Sequence, residues 1–331
     1  MWPDYNREIE VIKLKPLAAV LSGIVYAGLM CVLWFGFHGS ELAISLGSLF
    51  PRAFANFAIL LAPLWFFGFA AGEPLRNLPS AIRVCCAGLL STSYFAFAAR
   101  TTIFNWRAAL IVVAFPVLLA AFLEWAKLAN QMAWRDGAVL AIIAATYYLK
   151  WLGSAWPPEL AFLPKLFLAD VALYCFLVIR AMEGSGYWLV PAWSSLKIGM
   201  REWAFFLPLA LLIGELTGFI HFHRALPHLG NVVAALLLTF LLIAIPEELF
   251  FRSILQNLLE TRIGRRAALL VTAALFGLSH FNHGSRFNWR YVLLASIAGI
   301  FYGRAWRAER QIFASLVTHT AVDVVWSLWF R

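Results

Sequence analysis

Residues 231–260, NVVAALLLTFLLIAIPEELFFRSILQNLLE, combine two features that conflict in an ordinary helix. The run 231–251 is apolar over the length that crosses a hydrocarbon core, about 20 residues. Three ionisable residues nevertheless stand at its end, Glu247, Glu248 and Arg252. Each such group costs on the order of 2.5–3.5 kcal/mol inside a membrane, so it marks a functional site by default. Working outward, apolar runs of similar length recur at 16–37, 53–71, 80–98, 105–125, 137–153 and 159–179, and again at 203–221, 266–281, 291–303 and 313–330. The chain of 331 residues is 63% hydrophobic and 13% charged, and its mean hydropathy is +0.79. A soluble protein is roughly 45–50% apolar and about 25% charged. The expectation is an all-α, polytopic transmembrane bundle of about eleven spans.

The net charge of +9 raises the question of nucleic acid, but the basic residues sit in links between apolar runs. Arg262, Arg265 and Arg266 form one cluster, and Arg304, Arg307 and Arg310 another, two apolar segments further on. Both therefore face one side, the cytoplasmic one by the positive-inside rule, where orientation explains them and the headgroups of membrane lipids are within reach. No nucleic-acid partner is implied. Cys31, Cys85, Cys86 and Cys175 lie in apolar runs without CxxC spacing, which points to core packing rather than disulfides or a thiolate metal site. The start of the chain, MWPDYNREIEVIKLK, mixes acids and bases and reads as a retained cytoplasmic tail, not a signal peptide.

The longest stretch outside a predicted span carries Tyr187, Trp188 and Trp193 and reads as interfacial. It suggests three parts: helices of unassigned role in 1–180, a link at 181–202, and a module at 203–331. Intramembrane charge is sparse in the first part, where Lys165 and Asp170 are too far apart in register to share a helix face. No inverted repeat of the kind seen in transporters is visible.

The last part concentrates polar groups. At about 100° per residue, Glu248 and Arg252 share a helix face, while Glu247 lies about 140° around from Arg252. Glu248 is thus placed for a charge-assisted pair, and Glu247 is left to accept a proton elsewhere. Pro246 removes a backbone donor beside them and predicts a kink or a restart of the helix, of the kind tolerated beside a wet cavity. Phe276 and His280 share a face of the next run, and His319 and Asp323 share a face of the last. Polar pairs that glue helices, a proton or cation pathway, a non-catalytic membrane partner or immunity protein, and hydrolysis all draw on such residues; two acids, an arginine and two histidines exceed what packing needs. His221, His223 and His228 read as a solvated loop, His283 as a rim residue, and Asn282, Asn288 and Trp289 as a turn with an aromatic belt.

In this order the motifs EExxxR (Glu247, Glu248, Arg252), FxxxH (Phe276, His280) and Hxxx[N/D] (His319, Asp323) resemble the CAAX protease and bacteriocin-processing family, which includes the type II CAAX prenyl endopeptidases. The resemblance runs from about Trp203 to the carboxyl terminus. It implies an intramembrane endopeptidase in which Glu247 activates water, His280 holds or polarises that water, and Glu248, Arg252 and Phe276 give support. His319 and Asp323 would stabilise the oxyanion. Family members have been described both as metalloproteases and as glutamate-dependent enzymes; Glu247, His280 and His319 could ligate Zn2+, although HExxH is absent. The implied substrate is a membrane-associated protein or peptide, not necessarily prenylated, and the implied location a bacterial inner membrane. Asp323 stands where many relatives have Asn. An ionised Asp cannot donate to an oxyanion, so orientation of His319 is its expected task, with a protonated carboxyl or a metal ligand as the other options.

Overall fold

The computed structural model describes residues 5–125, 131–223, 226–281 and 287–330, with side chains from 19 onward. Within them regular structure is helical throughout and no strand occurs. The longer segments are α1 (Tyr5–Phe37), α2 (Glu41–Phe67), α3 (Ser80–Ala98), α4 (Trp106–Glu124), α5 (Trp134–Tyr148), α6 (163–179), α7 (Trp193–Leu216), α8 (Leu229–Ile263), α9 (Arg265–Leu278), α10 (Trp289–Glu309) and α11 (Ile312–Trp329). Every predicted span overlaps one of them.

Six are long and apolar enough to cross a membrane: the part of α1 from Ala19, then α2, α3, α4, α8 and α11. About eleven were expected, and the shortfall has two causes. Helices α5 and α9 have only 15 and 14 residues and α6 covers only 163–179, while α7 and α10 carry charge within them, such as Glu202 and Arg304. Helix α7 also starts ten residues before the predicted span at 203 and ends at Leu216. Its first turns are amphipathic, with Lys197 and Arg201 exposed and Ser195, Gly199 and Glu202 buried, so a hydropathy window reads them as a link.

The chain divides into two compact units, residues 1–127 with 138–181, and residues 128–137 with 182–331. The first has an apolar core from α2, α3, α4 and α6, including Leu61, Leu64, Phe97, Leu123 and Phe167. Asn105 caps α4 by accepting from the backbone N–H of Arg107 and Ala108. The four cysteines are free thiols, but core packing holds for Cys175 alone; Cys31 and Cys85 lie on the outside and Cys86 is half-buried. Thiols are apolar enough to sit on a lipid-facing surface as readily as in a core.

The second unit packs α9 against α10 and α7 against α11 by close backbone approach, with α8 set against α9, α10 and α11. A Cβ on Gly277 would lie 1.9 Å from Ser296 Oγ and 2.5 Å from the Val292 carbonyl, and one on Gly199 would lie 2.7 Å from the Ala314 carbonyl. Small residues serve this purpose between membrane helices, where apolar burial against lipid gives little driving force. Phe206, Phe276, Ala295, Ala298, Phe301 and Tyr302 fill the space between α7, α9 and α10. The chain ahead of α7 is strapped to this unit: Asn257 donates to the Glu183 carbonyl at 2.8 Å, and the Ile312 N–H to that of Gly186 at 2.8 Å. Gly186 has φ +61°, and a side chain there would strike the Arg310 carbonyl.

Helix α8 runs through Pro246 without restarting. It is wound as π-helix at Thr239–Ala244 and Leu249–Gln256, on either side of an α turn, Ile245–Glu248. The Ile245 N–H bonds to Phe240 O, five residues back. The wider turn makes room for a ring that cannot donate, and such turns collect at functional sites.

His221, His223 and His228 are exposed, as expected of a loop. Asn288 accepts from the Tyr291 N–H at the start of α10, and Trp289 is 51% exposed. Asn282, His283 and the first four residues of the amino-terminal tail lie outside the described residues.

Overpacking the α9–α10 contact should cost about 1–3 kcal/mol. Gly277→Leu is therefore expected to lower the thermal midpoint of detergent-solubilised protein, followed by size-exclusion chromatography. Gly230→Ala, where nothing lies within 4 Å, should leave it unchanged or raised.

Candidate active site

The site is built around Glu248, which is fully buried. Oε2 accepts from Arg252 Nε at 3.1 Å, one helical turn on, and from the Ser315 hydroxyl of α11. Oε1 faces His319 Nδ1 at 2.8 Å. Because the carboxylate is already paired with a guanidinium, it only accepts, and this assigns the Nδ1 proton to His319. The imidazole is clamped as well as hydrogen-bonded: it stacks on Tyr302 at 4.5 Å and 15° and meets Phe276 edge-on at 5.8 Å. The same two rings flank the Arg252 guanidinium at 5.1 and 5.8 Å.

The other ring nitrogen points toward the remaining acids. His319 Nε2 is 3.4 Å from Asp323 Oδ2 and 3.8 Å from Glu247 Oε2. Side-chain exposure rises along this series, from 0% for Glu248 and 2% for His319 to 15% for Glu247 and 32% for Asp323. One end of the cluster is sealed and the other is reachable.

His280 reaches the same region from α9. Its Nδ1 lies 2.8 Å from the Phe276 carbonyl one turn back, and a carbonyl can only accept, so Nδ1 carries a proton. The ring packs on Phe276 at 4.8 Å and Tyr291 at 5.0 Å. Phe276 therefore touches both histidines and the arginine.

A cavity of about 520 Å³ opens beside the cluster, in the size range of ligand sites. His280, His319 and Asp323 form its polar end, while Trp203, Phe206, Phe219, Trp326 and Phe330 are among its apolar walls. Phe219 stacks on Trp326 at 4.8 Å. Glu247 is not among the lining residues, but its carboxylate faces Nε2 of His319, which is.

The structure thus joins Glu247, Glu248, Arg252, Phe276, His319 and Asp323 by direct contacts, and His280 through Phe276 and the shared cavity. Two assignments change. Orientation of His319, expected from Asp323, comes from Glu248 on Nδ1; Asp323 stands on the opposite nitrogen. Glu247, His280 and His319 are not grouped as a metal site: among the described residues no three His, Cys, Asp or Glu are grouped to hold an ion. Ser315 and Tyr302 were missed. Ser315 had a signal, since 315, 319 and 323 fall on one face of α11; Tyr302 had none beyond a place in an apolar run.

Removing one partner of a buried ion pair strands the other, at about 3–5 kcal/mol. Arg252→Met should lower thermal stability by an amount of that order, and adding Glu248→Gln should recover part of it, both read by thermal unfolding in detergent.

Comparison with family models matches residues 229–325 to the description "Type II CAAX prenyl endopeptidase Rce1-like". The matched segment spans α8 to α11 up to Val325 and so contains each of the seven motif residues. No curated protein and no solved structure matches the chain.

Proposed function

We propose that this chain, whose residues 229–325 match the type II CAAX prenyl endopeptidase Rce1-like family model, is an intramembrane endopeptidase that hydrolyses peptide bonds of membrane-associated proteins or peptides. One observation carries the reading: His319 is fixed through Nδ1 by a fully buried carboxylate, while Nε2 is turned toward Glu247 and Asp323 at the polar end of an apolar cavity.

Glu247 is the general base. It takes a proton from a water molecule that the His280 Nε2 helps to hold, and the water oxygen bonds to the scissile carbonyl carbon. The carbonyl oxygen becomes an oxyanion and is met by N–H at Nε2 of His319. With the Nδ1 proton committed to Glu248, this donor is the imidazolium form. Asp323 holds the Nε2 proton until the oxyanion competes for it, a task for which a carboxylate suits as well as an amide oxygen. Collapse of the intermediate breaks the C–N bond, and the proton on Glu247 passes to the leaving amine. Atoms balance with one water consumed.

The apolar walls accommodate hydrophobic side chains or segments, which agrees with a substrate that arrives from the membrane. Each step uses side chains of this chain.

Positioned general acid–base groups contribute about 10²–10⁴-fold. Glu247→Gln and His280→Ala should each abolish the new amino termini that appear among membrane proteins of cells expressing the wild-type chain, while purified variants keep its elution profile and thermal midpoint. Retained cleavage in both would overturn the mechanism. Activity should also survive exhaustive chelation; stoichiometric zinc by elemental analysis, lost together with activity, would refute the metal-free scheme.

A further inference from the structure

Beneath the catalytic cluster, three fully buried side chains carry polar atoms that have no hydrogen-bond partner among the described residues: Arg252 at Nη1 and Nη2, Gln256 at Oε1, and Thr272 at Oγ1. Elsewhere these side chains are engaged. Arg252 donates through Nε to Glu248, and Gln256 donates through Nε2 to the Gly303 carbonyl and to Glu260, both at 3.4 Å.

They belong to one layer. Gln256 lies one turn beyond Arg252 on α8. The guanidinium of Arg252 sits over Phe276 of α9, and Thr272 lies one turn before Phe276 on that helix. Gly303 of α10 closes the layer: a Cβ there would lie 2.5 Å from Gln256 Oε1 and 2.4 Å from a methyl of Leu269, the residue one turn before Thr272. Glycine at this position lets the α10 backbone approach Gln256 and Leu269.

The donor inventory fits one ligand. Arg252 offers only donors, Gln256 Oε1 only an acceptor, and Thr272 a hydroxyl that can act as either. A water molecule accepts from a guanidinium N–H and donates to an amide oxygen and a hydroxyl, which meets the two to four polar partners that ordered buried water requires. We propose that the layer between Arg252, Gln256 and Thr272 is a buried water-binding site that completes the hydrogen bonding of Arg252 and thereby holds the Glu248–His319 pair in register. Its catalytic consequence rests on the hydrolytic reading above. The polar row continues from Gln256 to Glu260, which is paired with Arg310 at 2.7 Å and Arg307 at 3.5 Å. Those arginines are 33% and 20% exposed, so the row reaches from the sealed end of the site to the basic face of the unit.

Radiolytic hydroxyl footprinting with mass spectrometry labels side chains next to bound water and does not depend on activity. Applied to the full chain in detergent, it should label Leu269, which does not line the substrate cavity, in the wild type and equally in Glu247→Gln. In Thr272→Val, an isosteric change, labelling should fall several-fold. In cleavage assays, kcat should drop about tenfold with KM unchanged, in line with the contribution of a correctly oriented acid–base group, and Thr272→Ser should restore both readouts. Absence of label in the wild type would overturn the site in favour of a dry Arg252–Gln256 contact. Label that is lost in Thr272→Val without change in kcat would overturn the link to catalysis. Failure of the hydrolytic reading would show separately, as cleavage that persists in Glu247→Gln.

Discussion

A carboxylate with no solvent contact, that of Glu248, is the constraint around which the carboxyl-terminal unit is arranged. Buried polar groups must be matched, and the match here draws on separate helices. Arg252 comes from the same helix, Ser315 and His319 from α11, and the rings that hold arginine and imidazole in place, Phe276 and Tyr302, from α9 and α10. Such a pair is weak evidence for stability, because desolvation offsets most of the Coulomb gain. Its value is geometric. A helix that slipped by one residue would leave a charge unmatched, so the four helices share one register. The close approach at Gly199, Gly277 and Gly303 makes that register attainable, since bulkier residues would separate the backbones beyond hydrogen-bond reach.

This arrangement gives the cluster two unlike sides. Toward the cavity stand His280, the Nε2 of His319, and Asp323, with apolar walls beyond. Away from it lie the sealed Glu248, then Arg252, Gln256 and Glu260 in a polar row that ends at arginines. An apolar substrate and a polar support can thus be served from opposite directions, without the substrate site having to be polar itself. The π turns in α8 belong to the same solution, because they let a proline stand next to two consecutive carboxylates in an unbroken helix.

Much of the site was legible because helical spacing survives in the chain. Glu248 with Arg252, Phe276 with His280, and His319 with Asp323 are each four residues apart, and all three pairs meet in space. What spacing along one helix does not show is which nitrogen of His319 each acid takes, since that depends on how α8 and α11 pack. For this reason orientation fell to Asp323 in the sequence and to Glu248 in the structure. Ser315 was within reach of the same logic. Tyr302 was not, since stacking on an imidazole leaves no periodic trace in an apolar run. The all-helical class followed from composition, but the span count did not: hydropathy windows count apolar length, and they neither penalise a 14-residue helix nor recognise the amphipathic start of α7. The π turns are equally invisible to a reading based on 3.6 residues per turn.

The central claim is that the cluster adds water across a peptide bond, and isotope incorporation tests it most directly. The purified chain, reconstituted in liposomes with membrane proteins in H2 18O, should yield new carboxyl termini that each carry a single 18O after one turnover. Cleavage products without the label, or no new carboxyl termini from a folded and inserted protein, would contradict it.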